Sequence, residues 1–226
     1  MTRRNYGQAC SLAGALDRIG ERWSLLIVRE LLLGPLRFSE LDRAVGGAPT
    51  DVLTKRLRDL EGEGIVRRRE LEAPAAGVVY ELTELGQGLE RPILELARWG
   101  LNFFRMDEVD ELGASWLPNS LRVILRPPPD VEMTVQLRSG GNAFHLRIAG
   151  GWILAARGEV AGADLSLSGD PRAVIAFLVV GDEAPESADV EVEGDRAAVE
   201  RLRAMIELPP RLLGEALDEA TATRTA

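Results

Sequence analysis

The chain reads as an α+β protein built in two unlike halves, and three observations predict it. Residues 16–85 carry three helix-length patterns followed by two strand-length ones. Residues 131–193 open on two strands sharing a tight turn, and further strands and helices follow. The charge, finally, is divided unequally. Residues 1–106 hold 16 basic and 15 acidic side chains, whereas residues 107–226 hold 11 and 21, so the net charge of −9 belongs to the second half. An acidic half joined to a near-neutral one predicts two tasks in one chain, with repulsion keeping the acidic part off a polyanion. The acidic run Asp107-Glu108-Val109-Asp110-Glu111 marks the join. It predicts a first domain at 1–106, a linker at 107–119 and a second domain at 120–226.

In the first half, an apolar-periodic helix around Trp23 to Leu31 stops at Gly34-Pro35, and a second short helix covers Arg37 to Leu41. A third opens with Thr50 as N-cap and Asp51 at the positive end of the helix dipole, and it ends at Gly62-Glu63-Gly64. At about 100° per residue, Leu53, Leu57 and Leu60 share one stripe, leaving Asp51, Lys55 and Arg58 opposite and Thr54 on the flank. Ile65 to Leu71 and Val78 to Leu82 flank a Pro/Gly-containing turn, the signature of a hairpin. Three helices and then a hairpin is the order of a winged helix, whose commonest use is to set one helix in the DNA major groove.

That use makes Thr50, Asp51, Thr54, Lys55 and Arg58 candidate DNA contacts. Arginine reads guanine edges through two bonds, and lysine or threonine holds phosphate or reads a base. On an arbitrary amphipathic helix such residues are usually a solvated face; the winged-helix order reverses that preference. Arg67, Arg68 and Arg69 alternate between the faces of the first hairpin strand, so at least one is placed to meet phosphate while others pair with Glu70, Glu72 or Glu81. The hairpin tip has no basic residue, which argues against insertion into the minor groove.

Cys10, the run from Asp17 to Leu31, Gly34 to Leu41, Leu57 to Arg67, and Tyr80 to Gly86 together resemble the HxlR-type bacterial transcriptional regulators, over roughly residues 5–105. The resemblance implies a dimeric winged-helix DNA-binding protein, related in form to MarR-type regulators and habitually a repressor, with terminal helices making the dimer. Leu89, Ile93, Leu96, Gly100 and Phe103 form a stripe suited to that contact or, alternatively, to an intrachain core; Pro92 starts, kinks or interrupts the helix. In some members an N-terminal cysteine senses electrophiles or oxidants. Cys10 therefore has two readings: a redox sensor whose thiolate Arg3 and Arg4 help to stabilise if the fold brings them close, or a small buried filler, the commoner role of a free cysteine.

In the second half, Val131 to Arg138 alternates apolar and polar residues, turns through Ser139-Gly140-Gly141-Asn142 and returns along Ala143 to Ile148. Trp152 to Ala156, Asp164 to Ser168 and Val190 to Glu193 supply three more strands. Asp170-Pro171 opens a helix that stops near Gly181, Asp195 caps another, and a last helix is predicted from Arg211 to about Glu219. The result is a mostly antiparallel five-stranded sheet with helices on one face. The runs Ala163 to Pro171 and Val190 to Asp195 resemble the sterol carrier protein-like domain, over about residues 120–208. That resemblance implies an apolar or acyl ligand in a tunnel between sheet and helices, with Trp152, Val174, Phe177, Leu178, Leu202 and Met205 as candidate lining. The plainer reading makes each of them core.

Catalysis finds little support. The lone His145 lies on the polar side of an alternating strand, and the sequence has no Gly-x-Ser-x-Gly elbow, P-loop or His-Glu-x-x-His metal site. We expect no enzyme activity, no cofactor and no metal. No apolar run approaches the ~20 residues that span a bilayer, and the opening residues lack a signal-peptide core. With one cysteine, which excludes an internal disulfide, this predicts a cytoplasmic protein without membrane partners. The expected partners are double-stranded DNA, a second copy of the chain and a small apolar ligand. The alternatives are a lipid or acyl-ligand carrier whose winged helix serves protein contacts, and an enzyme of unrecognised site.

Overall fold

The computed structural model describes residues 5–105, 112–113, 115–181 and 189–214. By packing, the chain divides into two compact units, Met1–Ile93 and Leu94–Ala226. Of the predicted linker, 107–111 and 114 lie outside the described residues.

The first unit contains α1 (Ser11–Ile19), α2 (Ser24–Leu31), α3 (Phe38–Val45), α4 (Thr50–Gly62), β1 (Val66–Leu71), β2 (Gly77–Leu82) and α5 (Glu84–Gln87), and it ends inside α6 (Glu90–Gly100). Apolar periodicity dictates its centre. Ile27, Val28 and Leu31 of α2 pack with Leu41 and Val45 of α3, Leu53, Leu57 and Leu60 of α4, and Ile65, Val66, Leu82 and Ile93. Burying each leucine contributes about 1.5–3 kcal/mol. The three leucines of α4 are thus fixed inward, and the opposite side of that helix faces water.

Local chemistry sets the helix starts. Glu40 accepts the backbone N–H of Arg37 at 2.7 Å, closing the first turn of α3. At α4 the N-cap position belongs to Pro49, so Thr50 sits one residue further inside the helix than the sequence suggested. The Thr50 carbonyl accepts the Thr54 hydroxyl at 2.7 Å. β1 and β2 pair antiparallel from Val66↔Leu82 to Leu71↔Gly77. Leu36 adds a short third strand: its N–H donates to the Tyr80 carbonyl at 3.0 Å, and the Tyr80 N–H donates back at 2.8 Å. The segment before α3 is thereby stitched to the hairpin.

The second unit contains α7 (Trp116–Ile124), β3 (Met133–Ser139), β4 (Asn142–Ala149), β5 (Trp152–Arg157), β6 (Leu165–Ser168), α8 (Pro171–Val180), β7 (Glu191–Gly194) and α9 (Arg196–Arg203). Its sheet has the order β5-β4-β3-β6-β7, antiparallel at every junction except the parallel β3/β6 pair. The predicted caps are present: Asp170 accepts the Arg172 N–H at 2.8 Å, and Asp195 accepts the Ala198 N–H at 2.6 Å. Absent from the sequence prediction was α7, whose Leu117, Leu121 and Ile124 are buried. Pro118 is tolerated there because a first-turn residue needs no intrahelical N–H partner. The final helix is described only through Gly214, so its predicted course to Glu219 lies outside the described residues.

Val174, Phe177, Leu178, Leu202 and Met205 are all buried in this unit's core. Trp152 is a correction. It pairs with Ala149 and shares its strand parity with the exposed Leu154, whereas Ile153 and Ala155 are the buried residues of β5. Period-two alternation therefore sends Trp152 to the sheet face opposite the core. That outer face carries Gln136 and His145 beside Trp152 and Leu154 and is partly strapped by the loop after β5. The buried Gln136 donates to the Phe144 carbonyl at 2.8 Å and accepts the Val160 N–H at 2.8 Å, and His145 Nδ1 lies 3.2 Å from the Gly158 carbonyl. Among the described residues, no helix is long and apolar enough to cross a membrane.

Candidate nucleic-acid interface

Thr50, Asp51, Thr54, Lys55 and Arg58 are all exposed, and with Asp59 they border one open depression on α4. They are not equivalent. Lys55 lies 3.7 Å from Asp59, a solvent-exposed pair worth little energetically. Arg56, which the sequence did not single out, holds Asp59 at 2.9 Å and Glu21 at 3.1 Å. Its side chain is only 12% exposed, so it braces the helix instead of offering its charge. Arg58 makes no hydrogen bond or ion pair among the described residues, which leaves its five donors for an outside acceptor.

The hairpin arginines also differ from one another. Arg67 and Arg69, two residues apart on β1, share a face, and both donate through Nε to Glu81 of β2. Arg67 reaches Oε1 at 2.8 Å and Arg69 reaches Oε2 at 2.7 Å. Glu81 is nearly buried, whereas the two guanidinium side chains are 65% and 46% exposed. The hydrogen bond from Arg69, with that from Arg67, outweighs burial and holds the Glu81 carboxyl below the usual carboxylate range. Arg68 points to the other face, its guanidinium carbon 5.9 Å from the centre of the Tyr80 ring.

Arg37 is a functional candidate that sequence reasoning missed. Its guanidinium donates to the carbonyls of Ala75 at 2.6 Å and Ala76 at 3.1 Å, tying the start of α3 to the hairpin tip. Gly77 makes room for it. A Cβ there would lie 2.3 Å from Arg37 Nη1, and the Gly77 φ of +138° disfavours any side chain. No local pattern marks a contact across 39 residues, so the signal was absent from the sequence.

Of the predicted dimer stripe, Ile93 is buried in the first unit's core and Leu89 packs against it. These two belong to their own chain, as the intrachain alternative had it. Leu96 and Phe103 are exposed, and Trp99, unmarked in the sequence, joins them with its ring centroid 4.9 Å from that of Phe103. Gly100 is half-buried. Cys10 occupies the N-cap position of α1 and is exposed, so within the chain it fills no core. Arg3 and Arg4 lie outside the described residues.

The family model described as HxlR-like helix-turn-helix matches residues 18–108. The uncharacterized HTH-type transcriptional regulator YdeP of Bacillus subtilis (strain 168) is 32% identical over 108 residues, covering 48% of this chain and 83% of the relative. The HTH-type transcriptional regulator YodB of the same organism is 34% identical over 92 residues, covering 41% of this chain and 82% of the relative. A solved structure of the reduced form of YodB from B. subtilis is 32% identical, with a TM-score of 0.39, covering 42% of this chain and 94% of the other. The matched span contains α4, the hairpin and their arginines, and through it the chain belongs to the HxlR-like helix-turn-helix family.

Proposed function

We propose that this protein is a DNA-binding transcriptional regulator, without catalytic activity, that acts as a homodimer and inserts α4 in the major groove of each half-site. The observation that carries the reading is the water-facing side of α4, where Arg58 stands exposed beside Thr50, Thr54 and Lys55, without a hydrogen-bond or ion-pair partner among the described residues. Arginine in that state is suited to two-bond recognition of guanine. Relatives named as HTH-type transcriptional regulators support the assignment. Repression is the mode that the family resemblance favours. A dimer of this kind reads half-sites about one DNA turn, ~34 Å, apart.

Two inputs complete the proposal. Exposure of Cys10 supports a thiol that responds to oxidants or electrophiles. The second unit, with its likeness to sterol carrier proteins, is assigned to an apolar or acyl ligand that favours one arrangement of the reading helices, since equal affinity for both states shifts nothing.

Selection from random duplexes followed by titration tests the reading. A defined sequence should emerge, and Arg58→Ala should weaken binding to it by about 1–3 kcal/mol while relaxing preference at one base position. Recovery of no sequence preference would favour the carrier alternative instead.

A further inference from the structure

The Arg67–Glu81–Arg69 cluster has a stoichiometry that the simple picture of three phosphate-binding arginines does not contain. Two cations are fixed by one anion, one on each carboxylate oxygen, at 2.8 and 2.7 Å. Each arginine spends only its Nε–H. Neither has another hydrogen-bond partner among the described residues, so the Nη donors of both half-exposed guanidinium groups remain available. Residues two apart on a strand lie about 6.8 Å apart, and Glu81, opposite Arg67 in the ladder, supplies the carboxylate that gathers both heads. The cluster as a whole carries one net positive charge.

We propose that Glu81 is a positioning residue for DNA: it binds Arg67 and Arg69 into one phosphate-holding unit worth a single charge, which limits the sequence-independent affinity of the hairpin. This rests on the DNA-binding reading above. A phosphate approaching the fork meets two pre-ordered guanidinium groups, so ordering entropy is already spent. It also meets a carboxylate that cancels half of their attraction. Non-specific affinity is set by the number of phosphates neutralised, so capping that number leaves discrimination to α4.

The salt dependence of duplex binding by the full chain reads this directly, because each neutralised phosphate contributes about 0.9 to the slope of log K against log salt. Glu81→Gln should steepen the slope by about one such step. That adds an about 3- to 4-fold loss of affinity between 50 and 200 mM salt, with tighter binding to unrelated duplexes at low salt. Arg67→Ala and Arg69→Ala should each remove about one step, since either leaves the cluster neutral, and Arg67→Ala combined with Glu81→Gln, which again leaves one net positive charge, should restore the original slope. A folded Glu81→Gln protein with the original slope, or a combined Arg67→Ala, Glu81→Gln variant that stays one step short of it, overturns the proposal. If Glu81→Gln alone does not fold, the combined variant decides. These failures are distinct from that of the underlying reading, which fails if the unaltered protein binds no duplex at any salt concentration.

Discussion

At the scale of single residues, the outcome turns on how each charge is committed. The sequence exposes the face of α4 correctly because three leucines at helical spacing leave no other solution, and all five predicted residues there are indeed exposed. It does not reveal that Arg56 is spent on Glu21 as well as on Asp59 of its own helix while Arg58 makes no pair among the described residues, since the Glu21 contact comes from a loop far away in sequence. Glu81 makes a further, independent prediction. Its pKa is depressed in the folded chain, so its stabilising effect is fully present above the unfolded glutamate value of about 4.3 and is lost as pH falls through the lower folded value. The stability gap between the unaltered protein and Glu81→Gln should accordingly be wide at pH 7 and shrink below about pH 4.3 in urea titrations. A gap that stays constant from pH 7 to pH 3 contradicts the ion-pair geometry.

At the scale of elements, strands and helices with local signals were readable and long-range stitches were not. The hairpin followed from β-branched runs around a Pro/Gly turn, and the caps at Asp170 and Asp195 followed from their own side chains. The Leu36 strand, the Arg37 tie and the parallel β3/β6 junction all join residues far apart in sequence, where periodicity is silent. The helix α7 escaped because Pro118 near its start reads as a breaker in sequence although it is harmless in a first turn. A tight approach between elements gives a test here. Thr83 caps α5 by accepting the Gly86 N–H at 3.1 Å, and a Cβ on Gly86 would lie 2.2 Å from the Ile65 carbonyl oxygen. Because that neighbour is backbone, Gly86→Ala should cost about 1–3 kcal/mol of unfolding free energy. An unchanged urea midpoint means that the junction between α4, β1 and α5 is looser than described.

At the scale of the whole molecule, packing divides the chain between Ile93 and Leu94, inside α6 and ahead of the boundary at 106 drawn from charge, and the exposed apolar side chains of Leu96, Trp99 and Phe103 concern assembly. Leu89 and Ile93 of the stripe expected from sequence pack into their own core, so its exposed part begins seven residues later, at Leu96. If the remaining apolar residues join two copies, Trp99→Ala with Phe103→Ala should yield a monomer in sedimentation equilibrium at concentrations where the unaltered chain is dimeric; a persistent dimer places the contact elsewhere. The function proposed for the assembly depends above all on α4 being offered to a duplex. Titration of the protein with its selected duplex and with a scrambled one, at several salt concentrations, addresses that point. The proposal predicts a linear fall of log affinity with log salt, a clear preference for the selected duplex, and loss of that preference in Arg58→Ala. Equal binding of both duplexes by the unaltered protein, or Arg58→Ala indistinguishable from it, would contradict the assignment.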